Sequence, residues 1–181
     1  GVAGSVSHGL TQKPDFIIAK NIDGTANDWG VHHSSLTGPT YTLYLNGTAT
    51  EGIETLIWPS ASTDSVINVG SGALINESTK STILYSWHDI PGMQKFGSYI
   101  GNGTADNGPF VELGFRPAII IIKRTTSGSG GFNWTINDSE RGKYNPNGTA
   151  LFPNLANVES TNDEYEIDFL SNGFKLRCTT P

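Results

Sequence analysis

Residues 9–20 read GLTQKPDFIIAK and residues 114–123 read GFRPAIIIIK, so the chain states one pattern twice. Each run is a glycine, a proline, an apolar β-prone stretch and a closing lysine. A tryptophan follows each lysine, Trp29 after Lys20 and Trp134 after Lys123. The lysines are 103 residues apart and the tryptophans 105, so the second connection is two residues longer. Internal repetition constrains architecture more than any single motif does. What repeats here is apolar and structural. A duplicated β unit without duplicated chemistry points to a scaffold or binding module.

Helical periodicity is nearly absent, and alternation with turn chemistry predicts an all-β fold. Tyr165, Ile167 and Phe169 share one strand face while Glu166 and Asp168 share the other. Ser171-Asn172-Gly173 then turns the chain and residues 174–177 alternate again, which is a hairpin pattern. Residues 41–45 running into Asn46-Gly47, and residues 66–69 running into Gly70, read the same way. Phe96, Ser98 and Ile100 lead into Gly101-Asn102-Gly103, with residues 110–113 as the returning strand. The two lysine-ended runs differ, being apolar on both faces, and this predicts central strands covered on both sides. Burying four isoleucines contributes about 6–12 kcal/mol, so Ile119, Ile120, Ile121 and Ile122 form the candidate subunit or lobe interface.

The repeat places one unit at about 6–91 and a second at about 95–181, joined by residues 91–94. After residues 66–70 the first unit continues into another strand over residues 83–87. The second has no counterpart, which predicts an open slot filled by another segment through strand addition. A unit of about 85 residues lacking a strand is marginal alone, so the expectation is one continuous sandwich.

Charged residues make up 15% of the 181, and the net charge is −6. That balance, with no basic cluster beyond Lys123-Arg124, excludes a nucleic-acid partner, which needs grouped cations to displace counterions. The longest strictly apolar run, residues 118–122, is far short of the ~20 needed for a membrane-inserted helix. Abundant Gly, Ser, Thr and Asn suit a virion or extracellular protein. The lone Cys178 reads as a small residue on a terminal strand, with no nearby base or cation to activate it.

Few groups offer reaction chemistry. Retaining glycoside hydrolysis needs two carboxyl groups, and residues 166–170 resemble the Glu-x-Asp-x-Glu strand of concanavalin A-like glycosidases. Leu170 occupies the acid/base position, so catalysis is disfavoured and no catalytic residue is assigned. Adjacent His32 and His33 point to opposite faces of a strand and cannot easily share an ion; no metal or cofactor is expected. A triad drawn from Ser34, His32 and Asp28 has no nucleophile elbow behind it. The glycine runs at residues 70–72 and 128–131 read as loops rather than phosphate cradles. Trp29 and Trp134 read as core, and Trp58, beside Pro59, as the exposed candidate for ligand contact. Six Asn-X-Ser/Thr sequences, at Asn46, Asn76, Asn102, Asn133, Asn137 and Asn147, are candidate glycosylation sites.

Taken in order, residues 6–10, 14–20, 29–36, 91–92, 95–103, 114–117 with the isoleucine run, 151–155 and 168–177 carry a resemblance across most of the chain. It resembles an uncharacterised repeat domain of tail-fibre and other structural proteins in marine bacteriophages. The resemblance implies a jelly-roll-like, concanavalin A-like β-sandwich in a virion appendage, with a final strand that this chain lacks. It also implies a non-catalytic structural or adhesive module that forms a homo-oligomer or filament and contacts host-surface glycans. The alternative is a lectin-like carbohydrate-binding domain, and a glycoside hydrolase is disfavoured.

Overall fold

A computed structural model describes residues 1–24, 28–126 and 131–178. The fold is mostly β with one short helix, laid out as several small antiparallel sheets. The chain divides into two compact units, Gly1–Asp89 with Thr125–Gly131, and Ile90–Arg124 with Phe132–Pro181. Thr125 belongs to the first because its carbonyl accepts the Glu51 N–H at 3.1 Å.

The first unit contains β1 (Gly4–Ser7), β2 (Phe16–Asn21), β3 (Gly30–His33), β4 (Tyr41–Tyr44), β5 (Gly52–Ile53) and β6 (Val66–Val69). The short helix α1 (Ala73–Asn76) and β7 (Thr82–Trp87) follow. One sheet has the order β5-β4-β3-β2-β7 and the other pairs β1 with β6. Alternation in β2 decides which face is covered. Ile17, Ala19 and Asn21 are buried, while Phe16, Ile18 and Lys20 are half-buried. Ile17 and Ala19 meet Ile67 and Val69 of β6, with Ile57, Trp58 and Ile75 completing the core. β2 is central, as the sequence predicts, but its outer face is only half covered.

The second unit contains β8 (Phe110–Glu112), β9 (Ile119–Ile122), β10 (Thr135–Asp138), β11 (Thr149–Ala150), β12 (Ser160–Thr161), β13 (Ile167–Leu170) and β14 (Gly173–Leu176). β13, β14 and β8 form one sheet in that order, and β9 pairs with β10. Ile120 packs with Ile167, Phe169, Phe174 and Leu176, and Val111 and Ile122 close against them. The hairpin predicted around Ser171-Asn172 is present, with Leu170 opposite Gly173. A side chain at Gly173 would collide with the Val111 carbonyl oxygen across the sheet. Gly9 and Gly114, which open the two repeated runs, both have positive φ, 67° and 80°.

Two expectations are corrected. Residues 95–100 form no strand, and Ile100 is 90% exposed. β8 instead takes its partner from β14, more than 60 residues on, because Val111 can pack on the core there. The isoleucine run is not a central strand either. Among the described residues, β9 pairs with β10 alone and is an edge.

Candidate functional site

The open side of β9 is the first feature that the fold leaves unfinished. In an antiparallel ladder, alternate residues aim their N–H and C=O groups at one neighbour, and those between aim at the other. Ser139 N–H donates to the Ala118 carbonyl at 3.0 Å, and Ile120 lies opposite Asn137 and Ile122 opposite Thr135. The groups of Ile120 and Ile122 therefore serve β10, and those of Ile119 and Ile121 face outward. The side chains of Ile119 and Ile121 are 63% and 53% exposed, while Ile120 is 6% exposed. Only one face of the run is dry. Lys123 follows, its ammonium donating to the Phe132 carbonyl at 2.6 Å, and burial pushes its pKa down to about 8.

The second feature is a row of rings on the outer face of the first unit's large sheet. Phe16 lies opposite both His33 and Trp87, and Ile18 lies opposite Tyr85. Ring centroids are 5.9 Å apart for Phe16–His33 and 5.7 Å for Phe16–Trp87. Tyr85 and Trp87 stack at 6.1 Å with an interplanar angle of 13°. Tyr85 is 43% exposed. Lys20 sits over the Trp29 ring at 5.7 Å, continuing the row. The sequence signal for this surface is Tyr-x-Trp on an alternating strand, at residues 85–87. A cleft of about 460 Å³ lies elsewhere in this unit, between β7 and the β1–β6 pair, lined by Ser7, His8, Lys80 and Ser86 among others.

Against this geometry the chain matches the model of a protein family, described as a domain of unknown function (DUF7483), over residues 1–181. The chain belongs to that family. No curated protein matches it, and no solved structure does.

Several predicted site residues of this family member lie elsewhere than expected. Trp58 is 2% exposed, in the core beside the His32 ring, so it is not an exposed ligand contact. Its position next to Pro59 reads as a loop, yet Trp58 N–H and Ile57 N–H both bond to Glu54 and turn the ring inward. Trp134 is buried as expected, whereas Trp29 is half-exposed. Asp168 does not line a wet face. It is 5% exposed and accepts the Arg177 Nε–H at 2.6 Å. Asn137 and Asn147 are 1% and 2% exposed, far too buried to carry a sugar. The Asn137 amide donates to the carbonyls of Thr149 and Tyr165, and that of Asn147 to Asp138. Asn76 donates to Val2 and Gly70, and Asn133 accepts from Asn154 at 2.8 Å. Asn46 and Asn102 are exposed.

His32 lies opposite Ile17 on the core face and His33 opposite Phe16 on the outer face, so the two rings do diverge. Among the described residues, no group of three or more His, Cys, Asp or Glu is placed to hold a metal ion. Burial raises the Cys178 thiol above its ordinary pKa. Gly128, Ser129 and Gly130 lie outside the described residues.

Proposed function

We propose that the chain is a non-catalytic structural and adhesive module of an external filament, a phage tail fibre or a comparable appendage. In this reading it is a jelly-roll-like sandwich built from two copies of one ladder, acting in a virion or outside the cell. The observation that carries it is the agreement of strand registers. Ile17 faces His32 as Ile120 faces Asn137, offsets of 103 and 105 residues. Val31 faces Leu43 as Ile136 faces Leu151, at 105 and 108. Tyr41 faces Ile53 as Thr149 faces Thr161, at 108 for both. Val6 faces Ile67 as Val111 faces Phe174, at 105 and 107. Even a side-chain cap recurs, Asn46 Oδ1 accepting Trp29 N–H and Asn154 Oδ1 accepting Trp134 N–H.

Matched positions share shape and not reactive groups. His32 corresponds to Asn137, and Asp15 to Ala118. A repeated framework needs its apolar, turn and capping positions in both copies, and needs no histidine or carboxylate at matched places. Such a framework acts through copy number, with weak contacts summed over many modules. Size-exclusion chromatography and electron microscopy of the purified chain test the reading. Ordered self-assembly without added ligand is expected, and a persistent monomer that cleaves polysaccharide contradicts it.

The ring row supports a second reading, a lectin-like domain. Stacked, partly exposed Tyr85 and Trp87 offer flat apolar faces of the kind that sugar rings pack against. Here the isolated monomer binds on a glycan array and Trp87→Ala abolishes binding. Equal binding by that variant excludes the row as the sugar contact.

A further inference from the structure

We propose that the free edge of β9 is an acceptor site for an extended antiparallel strand with large apolar residues at alternate positions. The inference rests on the duplicated-ladder reading and names the partner chemistry of one edge. In the first unit the strand equivalent to β9 is β2, and its outward side is occupied by β7, with Phe16 opposite Trp87, Ile18 opposite Tyr85 and Lys20 opposite Ile83. At the corresponding positions β9 carries Ile119 and Ile121. Phe16 and Ile18 are half-buried beside β7, whereas Ile119 and Ile121 are 63% and 53% exposed. Among the described residues, the same place in the ladder is covered in one unit and bare in the other. The first unit therefore displays the kind of segment that fits.

The edge is not protected in the ways that edges usually are. Proteins blunt exposed strands with charge, proline or short length. β5 and β12, at the ends of their sheets, have two residues each. β9 has four residues, all isoleucine. A segment pairing there gains main-chain hydrogen bonds from the N–H and C=O groups of Ile119 and Ile121, which supply affinity in strand addition. Specificity comes from alternate side chains that cover the two exposed isoleucines, as Tyr85 and Trp87 cover Ile18 and Phe16. β9 has no aromatic residue of its own. A second copy pairing β9 to β9 sets isoleucine against isoleucine and leaves the ring positions unfilled, so the occupant is a separate β7-like segment.

The test uses the full 181-residue chain and a synthetic peptide with the sequence of residues 81–88, STILYSWH, with amide hydrogen exchange followed residue by residue. Saturating peptide is expected to slow exchange at Ile119 and Ile121 by about tenfold or more, roughly one main-chain hydrogen bond each. A peptide with Ser in place of the Tyr and Trp should protect them poorly. Ile121→Pro removes a donor that faces away from β10 and should weaken binding about tenfold. Ile121→Lys, whose side chain stays in water, serves if the proline variant misfolds and should weaken binding likewise. Unchanged exchange at Ile119 and Ile121 with peptide overturns the proposal. So does protection that grows with protein concentration without peptide, since a second copy is then the occupant. If the chain forms no filament and binds no glycan but the peptide still protects β9, only the filament reading falls.

Discussion

Asparagine does much of the internal hydrogen bonding in the second unit. Asn147 Nδ2 donates to the Asp138 carbonyl at 2.8 Å, and its Oδ1 accepts Thr149 N–H at 2.9 Å. Asn147→Ala leaves a buried donor and acceptor unmatched, and should lower stability by about 1–3 kcal/mol in urea unfolding. Asn46→Ala, at an exposed cap, should cost no more than about 1 kcal/mol. Equal losses at the two positions contradict the assignment. His32 and His33 add a pH dependence. Burial lowers the pKa of both from the ordinary 6.5, and the charge of His32 adds to the effect on His33. Below pH 6.5 the unfolded chain therefore binds more protons than the folded one. The contribution of the pair is complete above that pH and falls away as pH drops through the folded values. The urea midpoint should be lower at pH 5.5 than at pH 7.5, and an invariant midpoint excludes this role for the pair.

At the scale of elements, alternation on β9 makes two neighbouring isoleucines unequal. Ile120→Ala empties a packed position against Phe174 and Leu176, and should cost about 2–4 kcal/mol. Ile121→Ala trims an exposed side chain and should change stability by less than about 0.5 kcal/mol. Thermal unfolding of both variants checks the register, and reversed values place β9 one residue out. Local pattern was enough to find β2, β7, β9 and the β13–β14 hairpin, because strand periodicity and turn residues are carried within ten residues or so. The partner of β8 was not legible. Pairing Phe110 with Lys175 rather than with the segment near Ile100 is a tertiary choice made by core packing. The isoleucine run misled for a related reason. Apolar residues on both faces look central, but the sequence cannot say whether a neighbouring strand is there. Proline next to Trp58 suggests a loop although the ring is buried, whereas alternation around Trp87 sets its outward face.

On the proposed reading, the pattern of the two short runs continues in the paired strands of the two units, whose matched registers are offset by 103 to 108 residues. This is the physical content of the proposed role: one framework used twice, finished beside β2 and unfinished beside β9. His32 packs beside the Trp58 ring, and Asp168 pairs with Arg177. Residue-resolved amide exchange on the dilute monomer tests the unfinished edge most directly. The account predicts strong protection at Ile18 and Lys20, which face β7, with fast exchange at Ile119 and Ile121 and slow exchange at Ile120 between them. Protection of Ile119 and Ile121 equal to that of Ile18, in the monomer without ligand, contradicts it.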